Sequence, residues 1–223
     1  MDKAAKLKRS GDKVAQAEYE LMERLKAHLE AEKPVRTFEA TEEEQELIKG
    51  FFLLTSKKVL YAANISEEDL MAGEENHLVK KVRDYIQGEN AGLVTICARL
   101  EEELSGLEED EKLEMLQEYG IEETGLDLLI KESYRLLGLM SFLTAGPQEV
   151  RAWTIKVGTK APVAAGKIHS DIQRGFIRAE VISYDALMAS GSEAQAKEKG
   201  LYRVEGKEYI MREGDVVNFR FNV

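Results

Sequence analysis

The sequence of 223 residues contains a single cysteine, only three prolines and no long apolar run. One cysteine, Cys97, excludes an internal disulfide and fits a reducing compartment, so we expect a cytoplasmic protein. Scarce proline, with 17 glycines, excludes collagen and proline-rich linkers. The longest apolar runs, Phe51–Leu54 and Val59–Ala63, are far shorter than the roughly 20 residues that cross a bilayer, so we expect no membrane contact. The lysine-rich start, Met1–Arg9, has no apolar segment after it, which predicts no secretory signal.

Acidic residues outnumber basic ones, but not evenly along the chain. There are 42 Asp and Glu against 31 Lys and Arg, a net charge of −11, which argues against indiscriminate coating of nucleic acid. Residues 142–223 carry 12 basic and 10 acidic residues, so the acidic excess lies entirely in residues 1–141. This break, in a chain longer than one typical domain, predicts two units. Any contact with RNA is expected on the carboxyl-terminal unit.

The first 40 residues are expected to form a helical arm. Residues 12–31 contain neither glycine nor proline and carry apolar residues at steps of three and four, which predicts an amphipathic helix. A shorter basic piece, Lys3–Arg9, precedes it. Two arrangements stay open: the two pieces form the tip of a helical hairpin, or the long helix packs on the body of the protein. Thr41, with Glu44 three residues later, predicts the start of the next helix.

Residues 41–141 have the pattern of a parallel α/β domain. Val59–Ala63 and Leu93–Cys97 are short apolar runs typical of buried parallel strands. Between them, a helix with one apolar face completes a βαβ unit; that face is predicted to comprise Leu78, Val82, Tyr85 and Ile86. Ligands bind at the carboxyl ends of parallel strands, so residues 64–67 and 98–100 are candidate binding segments. The acidic stretch 101–119 is interpreted as a helix with a solvated face.

Residues 142–223 change to a β pattern. Strands are predicted at Val150–Val157, Phe176–Tyr184 and Asp215–Val223, separated by glycine-containing turns. A helix is predicted over Ala161–Arg174. Together these elements predict a small α+β domain whose sheet is covered by one helix.

Six segments carry a resemblance to a known family. They are Phe142-Leu-Thr-Ala-Gly-Pro, Glu149-Val-Arg-Ala-Trp-Thr-Ile, Gly158-Thr-Lys-Ala-Pro, Ala165-Gly-Lys-Ile-His-Ser-Asp, Gly175-Phe-Ile-Arg-Ala-Glu-Val and Gly214-Asp-Val-Val-Asn-Phe-Arg-Phe. The chain resembles the YchF family, the Obg-like ATPases, over essentially its whole length. The resemblance implies a coiled-coil arm over residues 1–40, a partial parallel-sheet nucleotide-binding domain over 41–141 and a β-grasp (TGS) domain over 142–223.

The resemblance also implies ATP or GTP with Mg²⁺ as the ligands of the longer family members. The nearest approach to the phosphate-loop pattern G-x-x-x-x-G-K-[ST] ends at Gly166-Lys167, but Ala161 replaces its first glycine and Ile168 its hydroxyl residue. We therefore expect a carboxyl-terminal piece of a longer ATPase. On its own it should bind nucleotide weakly, at about 1 mM or worse, and should not hydrolyse it.

By resemblance, the base of the nucleotide would meet two segments. Asn64-Ile65-Ser66-Glu67 stands where related GTPases carry N-K-x-D, and Cys97-Ala98-Arg99 stands where they carry Ser-Ala-Lys. The resemblance assigns base contact to Asn64, Ile65, Glu67, Cys97, Ala98 and Arg99. Replacement of the aspartate by Glu67 is expected to remove the preference for guanine. Without the resemblance, Asn-x-Ser-Glu after a strand indicates a helix cap, and Cys97 indicates a small buried residue at a strand end.

A second candidate surface is basic. TGS domains of the family are thought to dock on ribosomes or other RNA-containing partners, and six basic residues are candidates for contact with phosphates. They are Arg151, Lys156, Lys160, Lys167, Arg174 and Arg178. Trp153, on the same predicted strand as Arg151, is either a core residue or a stacking platform for bases.

No catalytic residue or metal site is predicted. The three histidines, His28, His77 and His169, are far apart and have no cysteine or histidine at ligand spacing. Two functions remain open: part of a nucleotide-binding, ribosome-associated ATPase, or a protein-binding or RNA-binding module with no nucleotide role. The strand Val59–Ala63 is also expected to leave an open sheet edge, through which the chain could form homo-oligomers.

Overall fold

A computed structural model describes residues 13–89, 91–146 and 149–222. The chain divides into two compact units; the first ends at Leu136 and the second begins at Leu137. The sequence predicts boundaries after residues 40 and 141, and this three-part division stays a prediction. The basic piece Lys3–Arg9 lies outside the described residues. Within the described ranges, no helix is long and apolar enough to cross a membrane.

In the first unit, the first described helix is α1, Lys13–Glu30, whose buried residues are Ala15, Leu21 and Leu25. Leu21 and Leu25 of α1 pack with Val35 and Ile48 in one apolar cluster. Val35 begins a short 3-10 turn, Val35–Thr37, and Ile48 lies on helix α2, Glu42–Gly50; a second 3-10 turn follows at Leu54–Ser56. The long helix therefore packs on residues that follow it in the chain.

Helix α2 starts where the sequence predicts. The Thr41 hydroxyl accepts the Glu44 N–H at 3.3 Å, and the Glu44 carboxylate accepts the Thr41 N–H at 3.0 Å. This reciprocal capping box satisfies two backbone donors that the first turn of a helix leaves without partners.

A parallel βαβ unit follows, which confirms the predicted pattern. Strand β1, Leu60–Asn64, pairs in parallel with strand β2, Gly92–Ile96, so that the two carboxyl ends lie side by side. Helices α3, Glu67–Met71, and α4, His77–Ile86, connect them. Among the described residues, β1 pairs with no strand other than β2. Oligomer formation through the open edge of β1 stays a prediction.

The buried face of α4 agrees with the predicted one at Ile86, and Val82 is half-buried. The face differs from the prediction at Leu78 and Tyr85. Val79 and Ile86 are buried, whereas Leu78 and Tyr85 are 57% and 68% exposed. Val79 and Ile86 are seven residues apart, which is two helical turns, so they share a face. The apolar residues of α4 surround more than one face, and their spacing alone did not show which face packs on the sheet.

Three helices complete the first unit. They are α5, Ala98–Ser105, α6, Glu109–Glu118, and α7, Gly125–Leu137. The stretch 101–119, predicted to be helical, is therefore divided between two helices, α5 and α6. The interpretation of its acidic residues as a solvated face is wrong at Glu101, whose carboxylate accepts the N–H groups of Gly125 at 2.6 Å and Leu126 at 3.1 Å. A carboxylate at the first turn of α7 satisfies free donors and interacts favourably with the helix dipole.

The second unit is a five-stranded mixed sheet in the order β4-β3-β7-β5-β6. The strands are β3, Leu139–Ala145, β4, Val150–Lys156, β5, Phe176–Ser183, β6, Arg203–Glu205, and β7, Asp215–Phe221. Strand β3 is parallel to β7, and the other neighbours are antiparallel. Its main core contains Phe142, Ile155, Val181 and Phe219.

Helices cover both faces of this sheet, so the prediction of one covering helix is wrong. Helices α8, Ala161–Ile168, and α9, Ser170–Arg174, follow β4. Helices α10, Tyr184–Ser190, and α11, Glu193–Glu198, follow β5. Buried residues of α8 join the main core, whereas Ala196 of α11 packs with Ile182 and Val216 in a second cluster.

Local signals for the extra helix boundaries are present in the sequence. Ser183 and Ser192 cap α10 and α11 through their hydroxyls, which accept the N–H groups of Ala186 and Gln195 at 3.3 Å each. Between these helices Gly191 has φ of +78°, a conformation that glycine adopts without strain. His169, with φ of −160°, separates α8 from α9.

A partly buried ion pair joins the 3-10 turn Val35–Thr37 to the βαβ unit. The carboxylate of Glu89 accepts from Arg36 Nη2 at 2.8 Å and from Tyr61 at 3.2 Å. The side chains of Arg36 and Glu89 are only 16% and 7% exposed. The Arg36 hydrogen bond is the first cause that holds the pKa of Glu89 below its usual value.

We predict that Glu89→Gln lowers the free energy of unfolding of the first unit by about 1.5 to 3 kcal/mol, since it removes a charge-assisted bond inside the unit. Because the folded-state pKa of Glu89 lies below the unfolded one, this difference should be full at pH 7 and vanish as the pH falls through that folded value. Urea unfolding of both proteins between pH 7 and pH 3 measures it.

The matched control is Glu75→Gln, which breaks the exposed Glu75–Arg83 pair and should cost under about 1 kcal/mol. Equal losses in the two variants, or a Glu89 effect that does not change with pH, would contradict the account.

Candidate functional site

The two predicted base-contacting segments lie side by side at the carboxyl ends of β1 and β2. The register pairs Asn64 with Ile96, and the Ile65 N–H donates to the Ile96 carbonyl at 2.9 Å. Residues separated by more than thirty positions in the sequence are thereby adjacent, as the parallel pairing predicts.

Asn64 connects the two segments. Its side-chain oxygen accepts the N–H of Ala98, the first residue of α5, at 3.0 Å. Cys97 precedes α5 and offers no side-chain cap, so Asn64 supplies from the neighbouring strand the acceptor that the helix end needs. With its oxygen engaged, the Asn64 amide retains its two N–H donors. The helix that follows the motif, α3, is capped by Ser66, whose hydroxyl accepts the Asp69 N–H at 3.1 Å. Contact of Asn64 with a base stays a prediction.

Glu67 lies in the first turn of α3 and faces the same region. Its Oε1 is 3.1 Å from Arg99 Nε, and its Oε2 accepts the Tyr119 hydroxyl at 3.4 Å. Oε1 is buried from solvent and has no well-aligned hydrogen bond. The negative charge of Glu67 is the first cause that raises the pKa of the Arg99 guanidinium, and Glu103 adds to it. The Arg99 side chain is 76% exposed, so it can leave Glu67 at small cost.

Tyr119 is a member of this cluster that the sequence does not indicate. It ends α6 and reaches Glu67 across 52 positions of sequence. Burial of the hydroxyl is the first cause that raises the pKa of Tyr119, and the charge of Glu67 is the second. No local motif marks this residue, because the contact depends on how α6 packs against α3.

The remaining base-site candidates differ in exposure. Cys97 is 4% exposed and packs with Leu100, Leu104 and Leu116. Its side chain is thus part of the core, as the interpretation without the resemblance expects. Ile65 is half-buried. A cavity of about 400 Å³ lies nearby, lined by Thr95, Cys97 and Gly125 among others, and its lining includes neither Asn64 nor Glu67.

The six basic candidates are spread over the second unit. Arg151 and Lys156 lie on β4, Lys160 and Lys167 at the two ends of α8, Arg174 at the end of α9 and Arg178 on β5. Four have carboxylate neighbours: Arg151 with Glu149, Lys160 with Glu208, Arg174 with Asp171 and Arg178 with Glu180. Among the described residues, no ion pair involves Lys156 or Lys167.

Trp153 is packed on both sides. Its ring stacks on Phe142 with centroids 6.5 Å apart, and the Arg151 guanidinium covers it at 4.3 Å. Its indole N–H donates to the Thr144 hydroxyl at 2.9 Å. Of the two sequence-based alternatives, the core role fits this packing, because a base that stacked on Trp153 would displace Arg151.

Gly166 and Lys167 lie in α8, which is not the geometry of a phosphate loop. A Cβ at Gly166 would lie 2.2 Å from the Gln173 side chain, so the glycine permits the close packing of α8 and α9. In the part of the chain that the structure describes, no group of three His, Cys, Asp or Glu side chains could hold a metal ion.

Comparisons with known proteins agree with this architecture. The family model YchF-GTPase_C, described as a protein of unknown function (DUF933), matches residues 139–222. The Ribosome-binding ATPase YchF of Bacillus subtilis is 53% identical over 221 residues, which are 99% of this chain and 60% of that protein. Obg-like ATPase 1 of Caenorhabditis elegans is 41% identical over 225 residues, which are 100% of this chain and 56% of that protein.

A solved structure is also similar. The YchF GTPase of Schizosaccharomyces pombe gives a TM-score of 0.77 at 32% identity, over 93% of this chain and 55% of that one. A parallel βαβ unit followed by a mixed five-stranded sheet is thus similar to the fold of a YchF protein. More narrowly, the chain matches the carboxyl-terminal portion of the YchF family. It spans about 60% of the length of the Bacillus relative.

We predict that Asn64→Ala destabilises the first unit by about 1 kcal/mol, because the Ala98 N–H at the start of α5 loses its acceptor. Amide exchange at Ala98 should quicken in the same variant. Asn64→Asp retains an acceptor oxygen and should stay close to the wild type. Urea unfolding and residue-resolved hydrogen exchange measure both effects, and unchanged exchange at Ala98 in Asn64→Ala would show that the contact does not form.

Proposed function

We propose that the first unit is the base-recognising part of a nucleotide site and that the second unit docks on ribosomes, in a protein of the YchF type. The observation that supports the proposal is the Asn64–Ala98 hydrogen bond, which joins the two segments that we propose to contact the base. The relatives support it, since those of Bacillus subtilis and Escherichia coli are named ribosome-binding ATPases. We propose a cytoplasmic protein on the same ground.

In this proposal the base lies over the half-buried Ile65, between Asn64 and Glu67. The free Asn64 N–H groups would donate to an acceptor nitrogen of the purine edge. Glu67 would accept from an exocyclic amine, and Arg99 would have to release Oε1 for this contact to form. Glutamate is one methylene longer than the aspartate of guanine-specific sites, so we propose that ATP is favoured or that ATP and GTP bind alike.

We propose no equivalent contacts for the triphosphate among the residues that the structure describes. The sequence contains no phosphate-loop motif, and its nearest approach lies in α8. We therefore propose an affinity for ATP of about 1 mM or weaker, which corresponds to about −4 kcal/mol. The described residues offer no cluster suited to Mg²⁺, so we assign no metal-dependent step to them. Hydrolysis in longer relatives would depend on positioning and charge neutralisation of the phosphates by residues outside this sequence.

The test is an NMR titration of the full chain with ATP, GTP and CTP. ATP should shift the amide signals of residues 64–67 and 97–99, and CTP should not, because a pyrimidine does not reach both segments. Asn64→Ala should weaken the ATP response at least threefold. Asn76→Ala is the matched control, since Asn76 caps α4 in the same manner outside the site. Shifts confined to other residues, or equal responses in the two variants, would refute nucleotide recognition here.

A second candidate function is a binding module without a nucleotide role. The observation that favours it is that the matched family model covers residues 139–222 alone, which is the second unit with its own core. We propose that this unit is a β-grasp domain of the TGS type, and that Lys156 and Lys167, which have no ion pairs in the described ranges, lead its contacts with ribosomal RNA. An absent ATP response together with retained ribosome binding would favour this function.

Ribosome association is tested by co-sedimentation at increasing salt. Contacts with phosphates release counterions, so binding should fall steeply between 50 and 200 mM salt, on the order of tenfold for two to three contacts. The double variant Lys156→Glu and Lys167→Glu should bind less than the wild type. Lys80→Glu with Lys81→Glu changes the charge equally in the first unit and should have less effect. Salt-independent binding, or equal losses in the two double variants, would contradict the proposed contacts.

A further inference from the structure

The two central strands of the second unit have only one paired position among the described residues. Strands β3 and β7 are parallel, but their register pairs only Leu143 with Val216. By contrast, β4 pairs along the whole of β3, and β5 pairs along the whole of β7. Among the described residues, the second half of β7 therefore has a strand partner on one side only. Its other edge presents backbone N–H and C=O groups that a further strand could pair with.

Two cavities border this stretch of β3 and β7. One has a volume of about 230 Å³ and the other about 880 Å³. Ala145, Val217, Asn218 and Glu193 line both, so the two cavities meet at the same stretch of sheet. We call the space bounded by these residues and Glu149 the β3–β7 cleft.

The walls of the cleft are apolar and its rim is acidic. Ile172, Phe219 and Phe221 line the larger cavity, and Phe221 is 45% exposed. Among the described residues, the charged side chains that line the larger cavity are Glu149 and Glu193, and those that line the smaller one are Glu180, Glu193 and Lys197. Glu149 and Glu193 each have a basic neighbour, Arg151 at 3.6 Å and Lys197 at 2.6 Å, but both pairs are more than half exposed. Exposed pairs of this kind are weak, so the carboxylates can exchange these partners for a cation on a ligand.

We propose that the β3–β7 cleft binds an extended basic peptide, which pairs through its backbone with the free edge of β7. Alternate side chains of such a peptide would enter the apolar walls, and its lysines or arginines would meet Glu149 and Glu193. The acidic rim disfavours nucleic acid, whose phosphates it would repel. A second copy of this chain is also disfavoured, because its net charge is −11. This site is separate from the nucleotide cluster and does not rest on the function proposed above.

The experiment is fluorescence anisotropy of the full chain with a labelled decapeptide of alternating lysine and valine. A decapeptide of alternating glutamate and valine is the reversed-charge control and should not bind. Ala145 lines both cavities, so the larger side chain of Ala145→Trp should fill part of them and weaken peptide binding at least tenfold. Ala152→Trp places the same side chain on the exposed β4 strand outside the cleft and should bind as the wild type does. Thermal melts verify that both variants are folded.

Charge and position are tested separately. Glu149→Gln with Glu193→Gln should weaken binding about threefold to tenfold, whereas Glu198→Gln with Glu208→Gln removes the same charge elsewhere and should change it little. Bound peptide should slow the hydrogen exchange of backbone amides in residues 218–221. The proposal would be overturned if folded Ala145→Trp bound the peptide as the wild type does, or if the two charge variants had equal effects. It would also be overturned if the peptide slowed amide exchange only at other residues, or if a single-stranded RNA competed for residues 218–221.

Discussion

The hydrogen bond from the Ala98 N–H to the Asn64 side chain is the interaction on which the candidate site depends. Parallel pairing of β1 and β2 brings two strand ends together, but it does not by itself orient the segments that follow them. Asn64 connects one strand end to the first turn of α5 and thereby fixes Ala98 and Arg99 relative to Ile65. Glu67 and Arg99 then meet across the gap. A small polar contact thus decides the geometry of the cluster.

In this cluster, the residue proposed to contact the base also has a structural role. The oxygen of Asn64 acts as a helix cap and its nitrogen remains available. Glu67 is held by Arg99 and Tyr119, and one of its oxygens is buried without a well-aligned donor. The charged Arg99 guanidinium, 3.1 Å away, compensates this oxygen in part, so a ligand that donated to Oε1 would compete with Arg99.

Much of the architecture is predictable because its signals are local or periodic. The capping box at Thr41, the two parallel strands and three strands of the second unit, β4, β5 and β7, follow from short patterns. Strands β3 and β6 are not among the predicted strands. The burial of Val79 instead of Leu78, and the role of Glu101 at the start of α7, do not follow from such patterns, because they depend on packing between distant elements. Helices α10 and α11 begin at serine caps, Ser183 and Ser192, which are local signals that the sequence contains.

The candidate site divides in the same manner. Pattern and resemblance identify its strand-end segments. The contact of Tyr119 with Glu67 and the Glu67–Arg99 pair are recognised only from the folded structure. The most direct test of the central claim is a crystal structure of this chain soaked with adenosine, which has a base but no phosphates. The account predicts the purine against Ile65, with its edge within hydrogen-bond distance of Asn64. Adenosine bound only in the cavity lined by Thr95 and Gly125, or no adenosine at several times the expected dissociation constant, would contradict it.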